Sequence, residues 1–228
     1  MLKPTIIHGD CLEALKAMDN EIFDLCLIDP PYFDYKTNYR KDKTGKLSQS
    51  LIQQSRDDQL EVMRECLKKL KPDSAFFFFT NWQEAWWFQS QFYTHLRNMI
   101  IWDKGNWTAG DLDGSLANTY EVVFLGTKDK NWKFNGERIP DIWGNQYEKE
   151  AKYNLNRVGN NRIHSTEKPV DLYKKCIEIA TKPGALIFDP YVGSGSSAEA
   201  CHRTGRQFLG YELDETYHRL ACERIKKL

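Results

Sequence analysis

An aspartate, two prolines and a tyrosine, Asp29-Pro30-Pro31-Tyr32, close an apolar run from Phe23 to Ile28. A carboxylate beside a carbonyl held rigid by proline is a pair of hydrogen-bond acceptors fixed in space. Such a pair suits activation of an amine on an aromatic ring, whose delocalised lone pair makes it a poor nucleophile. Accepting the amine hydrogens lets the nitrogen become tetrahedral and aim its lone pair at a methyl donor. Preorganised acceptors act on charge that develops in the transition state. Tyr32 adds an aromatic face on which a base flipped out of a duplex could stack, offsetting part of the lost stacking. Taken alone, the same four residues serve equally as a strand terminator and an ordinary Pro-Pro turn.

A second constellation runs Phe188-Asp189-Pro190-Tyr191-Val192-Gly193-Ser194-Gly195-Ser196-Ser197, in the order strand, acid, glycine-rich turn, helix start. Glycines let the backbone take positive φ and approach a ligand closely. The spacing matches neither the G-x-G-x-x-G of dinucleotide sites nor the G-K-[ST] of a phosphate loop. Asp189 has the wrong charge for a phosphate and the right one for the cationic amino group of a methionine moiety. Glu212 ends the next strand; in dinucleotide-binding folds an acid roughly 20 residues beyond the glycines takes the ribose hydroxyls. His164-Ser165-Thr166-Glu167-Lys168-Pro169 opens the helix before the glycine-rich strand. A helix N-terminus with a lysine is a receptor for a carboxylate. Each segment also has a plain structural alternative: a tight turn, an exposed strand end, a capped helix start with a solvated lysine.

The elements that must position these residues follow from periodicity. Strands are predicted at Thr5 to His8, Phe23 to Ile28, Ala75 to Phe79, Met99 to Trp102, Tyr120 to Leu125, Ala185 to Phe188 and Gln207 to Tyr211. Four consecutive phenylalanines, Phe76 to Phe79, suit a strand buried on both faces. Between the strands fall helices: one bearing Leu12, Leu15 and Met18, one capped by Ser55 and Asp58, and one from Trp82 to His95. Three more open at Pro169, Gly195 and Asp214. Pro72 and Asp73 are expected to break the chain before Ala75, and residues 128 to 163 resist assignment. The alternation implies an α/β fold, a mainly parallel doubly wound sheet with helices on both faces. Such sheets bind ligands beyond the carboxyl ends of their strands, which is where Asp29, Asp189 and Glu212 stand.

At 228 residues the chain is the length of one α/β domain, spanning 1–228. Its formal net charge of +0 means that no global basic field advertises a nucleic-acid partner, so any DNA contact must come from local clusters. None of the six cysteines forms a C-x-x-C pair, and most sit among apolar residues. That pattern points to buried thiols in a reducing compartment, with neither a disulfide framework nor a metal site. No apolar run reaches membrane-spanning length and the first residues lack a secretory pattern, so the expected location is cytoplasmic, with no membrane partner.

Together, Asp29 to Tyr32, His164 to Pro169, Phe188 to Ser197 and Gly210 to Tyr217 resemble the amino-methyltransferases of DNA, which act on N6 of adenine or N4 of cytosine. The resemblance is to the beta group, whose catalytic motif precedes the cofactor motifs in a circular permutation of the commoner order. It implies a Rossmann-like class I methyltransferase fold with an antiparallel edge strand, and S-adenosylmethionine as cofactor. It implies that Asp29 and the Pro30 carbonyl accept from the target amine, with Pro31 completing the tetrad and Tyr32 stacking on the base. Asp189, Tyr191, Gly193, Ser194 and Gly195 would line the methionine end of the cofactor. Lys168 and Thr166, with His164 nearby, would hold its carboxylate, Glu212 its ribose, and Asp10 with Cys11 its adenine ring; Asp29 borders the cofactor as well. Ser165, Tyr191 and Ser196-Ser197 stand where the family more often has proline, phenylalanine and two threonines. These swaps preserve ring and hydroxyl chemistry, though losing a proline loosens the loop.

Aspartate at the head of the tetrad favours adenine-N6 over cytosine-N4 as a family tendency. Methylation of RNA shares the same amine chemistry, and an inactive DNA-binding partner is a further reading, opposed by the intact Asp29 and Tyr32. A small-molecule methyltransferase would have no use for the tetrad. Two regions, 33–58 and 104–163, are the expected DNA-contacting loops. The first carries Lys36, Arg40, Lys41, Lys43 and Lys46 against one acid, Asp42, a cluster able to grip phosphates and equally able to be a solvated loop. The aromatic run Trp82, Trp86, Trp87, Phe88, Phe92 and Tyr93 is expected to be core packing. The family often pairs, so a homodimer and a cognate restriction endonuclease are the expected protein partners beside duplex DNA.

Overall fold

Eight strands form one sheet in the order β1-β8-β7-β2-β3-β5-β4-β6. The computed structural model describes residues 3–32, 54–108, 114, 116–148, 152–156, 158 and 167–228, the side chains of 107 and 108 excepted. In chain order the elements are β1 (Thr5–His8), α1 (Cys11–Ala17), β2 (Phe23–Ile28), α2 (Arg56–Lys69), β3 (Leu70–Thr80), α3 (Trp82–Phe92) and β4 (Leu96–Thr108). There follow β5 (Asn118–Thr127), β6 (Ile142–Trp143), α4 (Val170–Ala180), β7 (Leu186–Asp189), α5 (Ser196–Arg203), β8 (Gln207–Glu212) and α6 (Glu215–Lys226).

Two-residue periodicity sends alternate side chains of β3 to opposite faces. Phe77 and Phe79 pack with Leu25 and Leu27 of β2 under α4, α5 and α6. Phe76 and Phe78 pack with Cys26 and Ile28 under α1, α2 and α3. All four phenylalanines are buried, each contributing about 1.5–3 kcal/mol of transfer free energy. Helix starts are set locally: Ser55 and Asp58 form a reciprocal capping box on α2, and Asp214 accepts from the amides of Thr216 and Tyr217 on α6.

The sheet is mostly parallel, with β5 its one reversed strand among the described residues. That strand, expected at the edge, lies two positions inside it. β5 follows β4 directly and pairs with it antiparallel while also pairing with β3, which pushes β4 outward; Ile142 and Trp143 then pair with Ile101 and Trp102 as the true edge. Pro72 and Asp73 do not precede the strand but sit within it. β3 begins at Leu70, and the β2–β3 register shifts across this stretch, with Asp73 at φ 57°. A bulge of this kind is where a sheet tolerates proline.

Region 104–163 is not loop throughout, because 104–108 and 118–127 are sheet strands and Trp143 and Leu155 are buried. Likewise residues 56–58 belong to α2. The aromatic run divides: Phe88 and Phe92 are core, whereas Trp82, Trp86 and Tyr93 are 56%, 63% and 73% exposed. All six cysteines are free thiols, five of them buried. No helix among the described residues is long and apolar enough to cross a membrane.

β2 and β7 are neighbours at the centre. The chain leaves β2 through α2 towards β3 and leaves β7 through α5 towards β8, in opposite directions along the sheet. The carboxyl ends of these two strands therefore open a crevice, the usual ligand position in a sheet of this kind.

Candidate active site

A cavity of about 380 Å³ occupies that crevice. Its walls are the segments that follow β1, β2, β7 and β8, represented by Asp10, Asp29, Gly193 and Glu212. The volume lies within the range of small-molecule sites.

Asp29 stands at the mouth of β2, and its carboxylate is held from two directions. The Lys168 ammonium donates to Oδ1 at 2.9 Å, and the Tyr173 hydroxyl of α4 donates to Oδ2 at 3.3 Å. Burial pushes the Asp29 carboxyl above its ordinary range, with Lys168 and Tyr173 opposing and Glu121 adding to the rise. The Pro31 carbonyl accepts from the buried Gln59 amide at 2.8 Å, whereas no described residue donates to the Pro30 carbonyl. Among the described residues this leaves one fixed acceptor beside the carboxylate.

Lys168 is 4% exposed and lies between two carboxylates, Asp29 at 2.9 Å and Glu121 of β5 at 3.2 Å. Burial works against its charge, but the two carboxylates outweigh it and raise the ammonium above its usual range. Glu121 shows the converse: burial raises it, and Lys168, Lys104 and the Tyr32 hydroxyl more than offset that, leaving it below the usual range. Tyr32 donates to Glu121 Oε2 at 2.7 Å, and the Lys168 ammonium lies 5.1 Å from the centre of its ring.

The glycine turn is built from its own polar groups. Asp189 is buried, accepting from the Tyr191 amide at 2.8 Å and the Ser197 hydroxyl at 2.5 Å; burial still lifts its carboxyl to about 7. Glu212 accepts from the Gly193 amide at 2.7 Å and the Asp214 amide at 2.9 Å, tying the end of β8 to the turn. Gly193 and Gly195 both have positive φ, 54° and 83°. A side chain on Gly193 would meet nothing nearer than 4.0 Å, whereas one on Gly195 would meet Ala221 of α6 at 3.1 Å. Gly193 thus faces open space on the cavity side, and Gly195 permits close helix packing.

Asp10, Cys11, Asp29, Pro30, Pro31, Tyr32, Lys168, Tyr191, Gly193, Ser194 and Glu212 are therefore brought to one cavity. Asp10 also caps α1, accepting from the Leu12 amide at 2.7 Å. Burial raises the Cys11 thiol, which keeps it a neutral wall group. Asp189 and Gly195 lie behind the cavity wall. His164, Thr166, Lys36, Arg40, Lys41, Lys43 and Lys46 fall outside the described residues. The sequence did not single out Glu121 or Tyr173 as site residues; Lys104, in a region expected to contact DNA, instead lies near Glu121, and Tyr217, at the end of the last family-like segment, lines the cavity. The readable signal for Glu121 was an acid directly before the apolar run Val122 to Leu125.

A mainly parallel sheet with a glycine turn after one central strand and Asp-Pro-Pro-Tyr after its neighbour defines a class I methyltransferase acting on amino groups. A family model described as DNA methylase, for the N6 and N4 methyltransferases, matches residues 23–223, and the chain belongs to that family. The chain is 29% identical to "DNA adenine methyltransferase YhdJ" of Escherichia coli (strain K12), across 97% of this chain and 82% of that protein. Among solved structures it resembles M1.HpyAVI in complex with SAM, with a TM-score of 0.70 at 21% identity, covering 97% and 98% of the two chains. It resembles the cytosine-N4-specific PvuII DNA methyltransferase with a TM-score of 0.73 at 17% identity, covering 100% and 91%.

S-adenosylmethionine is the family's cofactor, and the residues present fit it. Gly193 leaves open space for a ligand to approach the backbone, and acids end β1, β2 and β8 around a cavity of suitable size.

Proposed function

We propose that the protein transfers a methyl group to the exocyclic N6 amine of adenine in DNA, acting on a base flipped out of the duplex. The observation that carries this reading is the placement of Asp29 and Tyr32 in the same cavity as the glycine turn. When bound, S-adenosylmethionine supplies an electrophilic methyl group. Asp29 and the Pro30 carbonyl accept the hydrogens of the amine, so that its lone pair is freed for attack. Tyr32 presents a ring against the base. Lys168 keeps Asp29 from being an isolated buried charge, and Asp29 is the base placed to receive the proton that the amine sheds after methylation.

Glu212, with lone pairs left after its two amide bonds, is assigned to the ribose, and Asp10 to the adenine end of the cofactor. Thr166 and His164 are assigned to its carboxylate; Lys168, expected there with Thr166, is engaged by Asp29 and Glu121, and Asp189 acts through the turn that it braces. Aspartate at the head of the tetrad, together with the adenine activity named for YhdJ, favours adenine over cytosine. Lys36, Arg40, Lys41, Lys43 and Lys46 are assigned to phosphate contacts. Duplex DNA incubated with labelled S-adenosylmethionine and digested to nucleosides tests the choice of base. N6-methyladenine is the expected product; N4-methylcytosine would overturn the adenine reading and leave the chemistry standing.

A further inference from the structure

Glu121 is a half-buried carboxylate, its side chain 17% exposed, that the methyl-transfer chemistry does not explain. It does not line the cavity, yet it touches two residues that do. It belongs to β5, opposite Trp102 in the β4–β5 register. The reversed strand thereby delivers a charged group to the end of the sheet where β2 and β7 place their own. Oε2 accepts the Tyr32 hydroxyl at 2.7 Å and lies 3.2 Å from the Lys168 ammonium, while Oε1 lies 3.8 Å from the ammonium of the buried Lys104. Lys168 also donates to the Tyr32 hydroxyl at 3.2 Å and to Asp29 at 2.9 Å. Tyr32, Lys168 and Asp29 are thus joined in a chain of hydrogen bonds, and Glu121 closes it at the Tyr32 and Lys168 end.

Stability gives no reason for such a group. A buried ion cluster pays for desolvation and is often replaceable by apolar residues at no loss. Geometry gives one. A tyrosine fixed at its hydroxyl holds its ring in one plane. An ammonium shared between two carboxylates does not close fully on either, so Asp29 keeps acceptor capacity: a carboxylate has about four acceptor positions, and described donors reach it from only two groups.

We propose that Glu121 is a positioning residue of the reaction: its carboxylate anchors the Tyr32 hydroxyl and shares Lys168 with Asp29, fixing the stacking face and the amine acceptor relative to each other. This inference rests on the methyl-transfer reading above.

The test is a double-mutant cycle of Glu121→Gln and Tyr32→Phe, measuring kcat on unmethylated genomic DNA, cofactor affinity and thermal melting, with wild type alongside. Glu121→Gln keeps the size of the side chain and removes its charge. Its kcat is expected to fall about 10- to 100-fold with cofactor affinity kept within about two-fold, and the double variant to fall no further than Glu121→Gln alone. The acid limb of kcat is expected to move to lower pH. Asp29 is faced by Glu121 from β5, Lys168 and Tyr173 at the start of α4, Tyr32 beyond β2 and Asp189 from β7; removing one negative charge from that set favours its ionised form. A residue that merely supports the fold would lower melting and cofactor affinity and leave the acid limb in place.

An active wild type with unchanged kcat and acid limb in Glu121→Gln, or with strictly additive effects, overturns the proposal alone. An inactive wild type overturns the methyl-transfer reading, and this proposal with it. Should Glu121→Gln not fold, Tyr32→Phe reads the same contact from its other end: a several-fold loss of kcat supports the anchor, and full activity overturns it.

Discussion

The Asp29 carboxylate and the Lys168 ammonium lie 2.9 Å apart across 139 positions of sequence. One follows a central strand and the other precedes a helix far along the chain, so the ion pair joins the Asp-Pro-Pro-Tyr segment to the half of the fold that carries the glycine turn. Lys168 opposes the burial that raises Asp29, and Asp29 must be ionised to accept hydrogens from the amine. Activity is therefore expected to fall as pH drops through the raised Asp29 pKa, on the high side of the ordinary aspartate value of about 3.9. Lys168→Ala removes the opposing cation, which moves this acid limb to still higher pH. It also takes the only cation within 4 Å from Asp29 among the described residues and leaves Glu121 with Lys104 at 3.8 Å, a loss bounded by the about 3–5 kcal/mol of a broken buried pair. Rate profiles against pH and chemical denaturation measure both; an unmoved acid limb would refute the assignment.

Asp189 gives a stability prediction of definite sign. Its folded-state carboxyl is lifted to about 7 by burial, so the folded state binds its proton more tightly than the unfolded chain does. The associated stability is full below the unfolded value of about 3.9 and is lost as pH rises through about 7. Asp189→Asn removes this dependence. In the protein without cofactor, the wild type should lose up to a few kcal/mol relative to the variant between about pH 4 and 7, by denaturant titration. Parallel pH curves for the two proteins would contradict it.

Gly193 and Gly195 separate ligand approach from packing. Both need left-handed backbone, so alanine at either costs about 1–2 kcal/mol. Gly195→Ala in addition presses on Ala221 at 3.1 Å and should lower melting further. Gly193→Ala places its methyl towards open cavity and should weaken cofactor binding more than Gly195→Ala does, by calorimetry. The reverse ranking in cofactor affinity would show that the cofactor does not lie along Gly193.

Replacing Lys36, Arg40, Lys41, Lys43 and Lys46 with alanine should weaken DNA binding without changing cofactor affinity. For every phosphate no longer neutralised, the salt slope of DNA binding should shrink by about 0.9. Fluorescence titration at several salt concentrations measures it, and an unchanged slope would remove this segment from the DNA interface.

Much of the scaffold was legible because periodicity within one element follows from burial. Phe76 to Phe79 suit a strand with two covered faces, and Ser55 with Asp58 suit a helix cap. The tetrad and the glycine turn were legible because strand ends carry ligands in parallel sheets. What was not legible depends on which elements become neighbours. Glu121 and Lys168 meet only because β5 lies against β3, inside β4, and spacing along the chain says nothing about that order. On α3 aromatic residues cover both faces, so their pattern could not tell buried Phe88 from exposed Trp86. Ser197 and the Tyr191 amide turn Asp189 into its own loop, a local competition for a carboxylate that composition does not reveal.

The central claim is that Asp29 activates an amine at the edge of the cofactor cavity. Its most direct test is single-turnover transfer from labelled S-adenosylmethionine to DNA by wild type and Asp29→Ala, with cofactor binding measured on the same samples. The account predicts a loss of about 10²- to 10⁴-fold in transfer with cofactor affinity largely kept. Transfer by Asp29→Ala at the wild-type rate would contradict it.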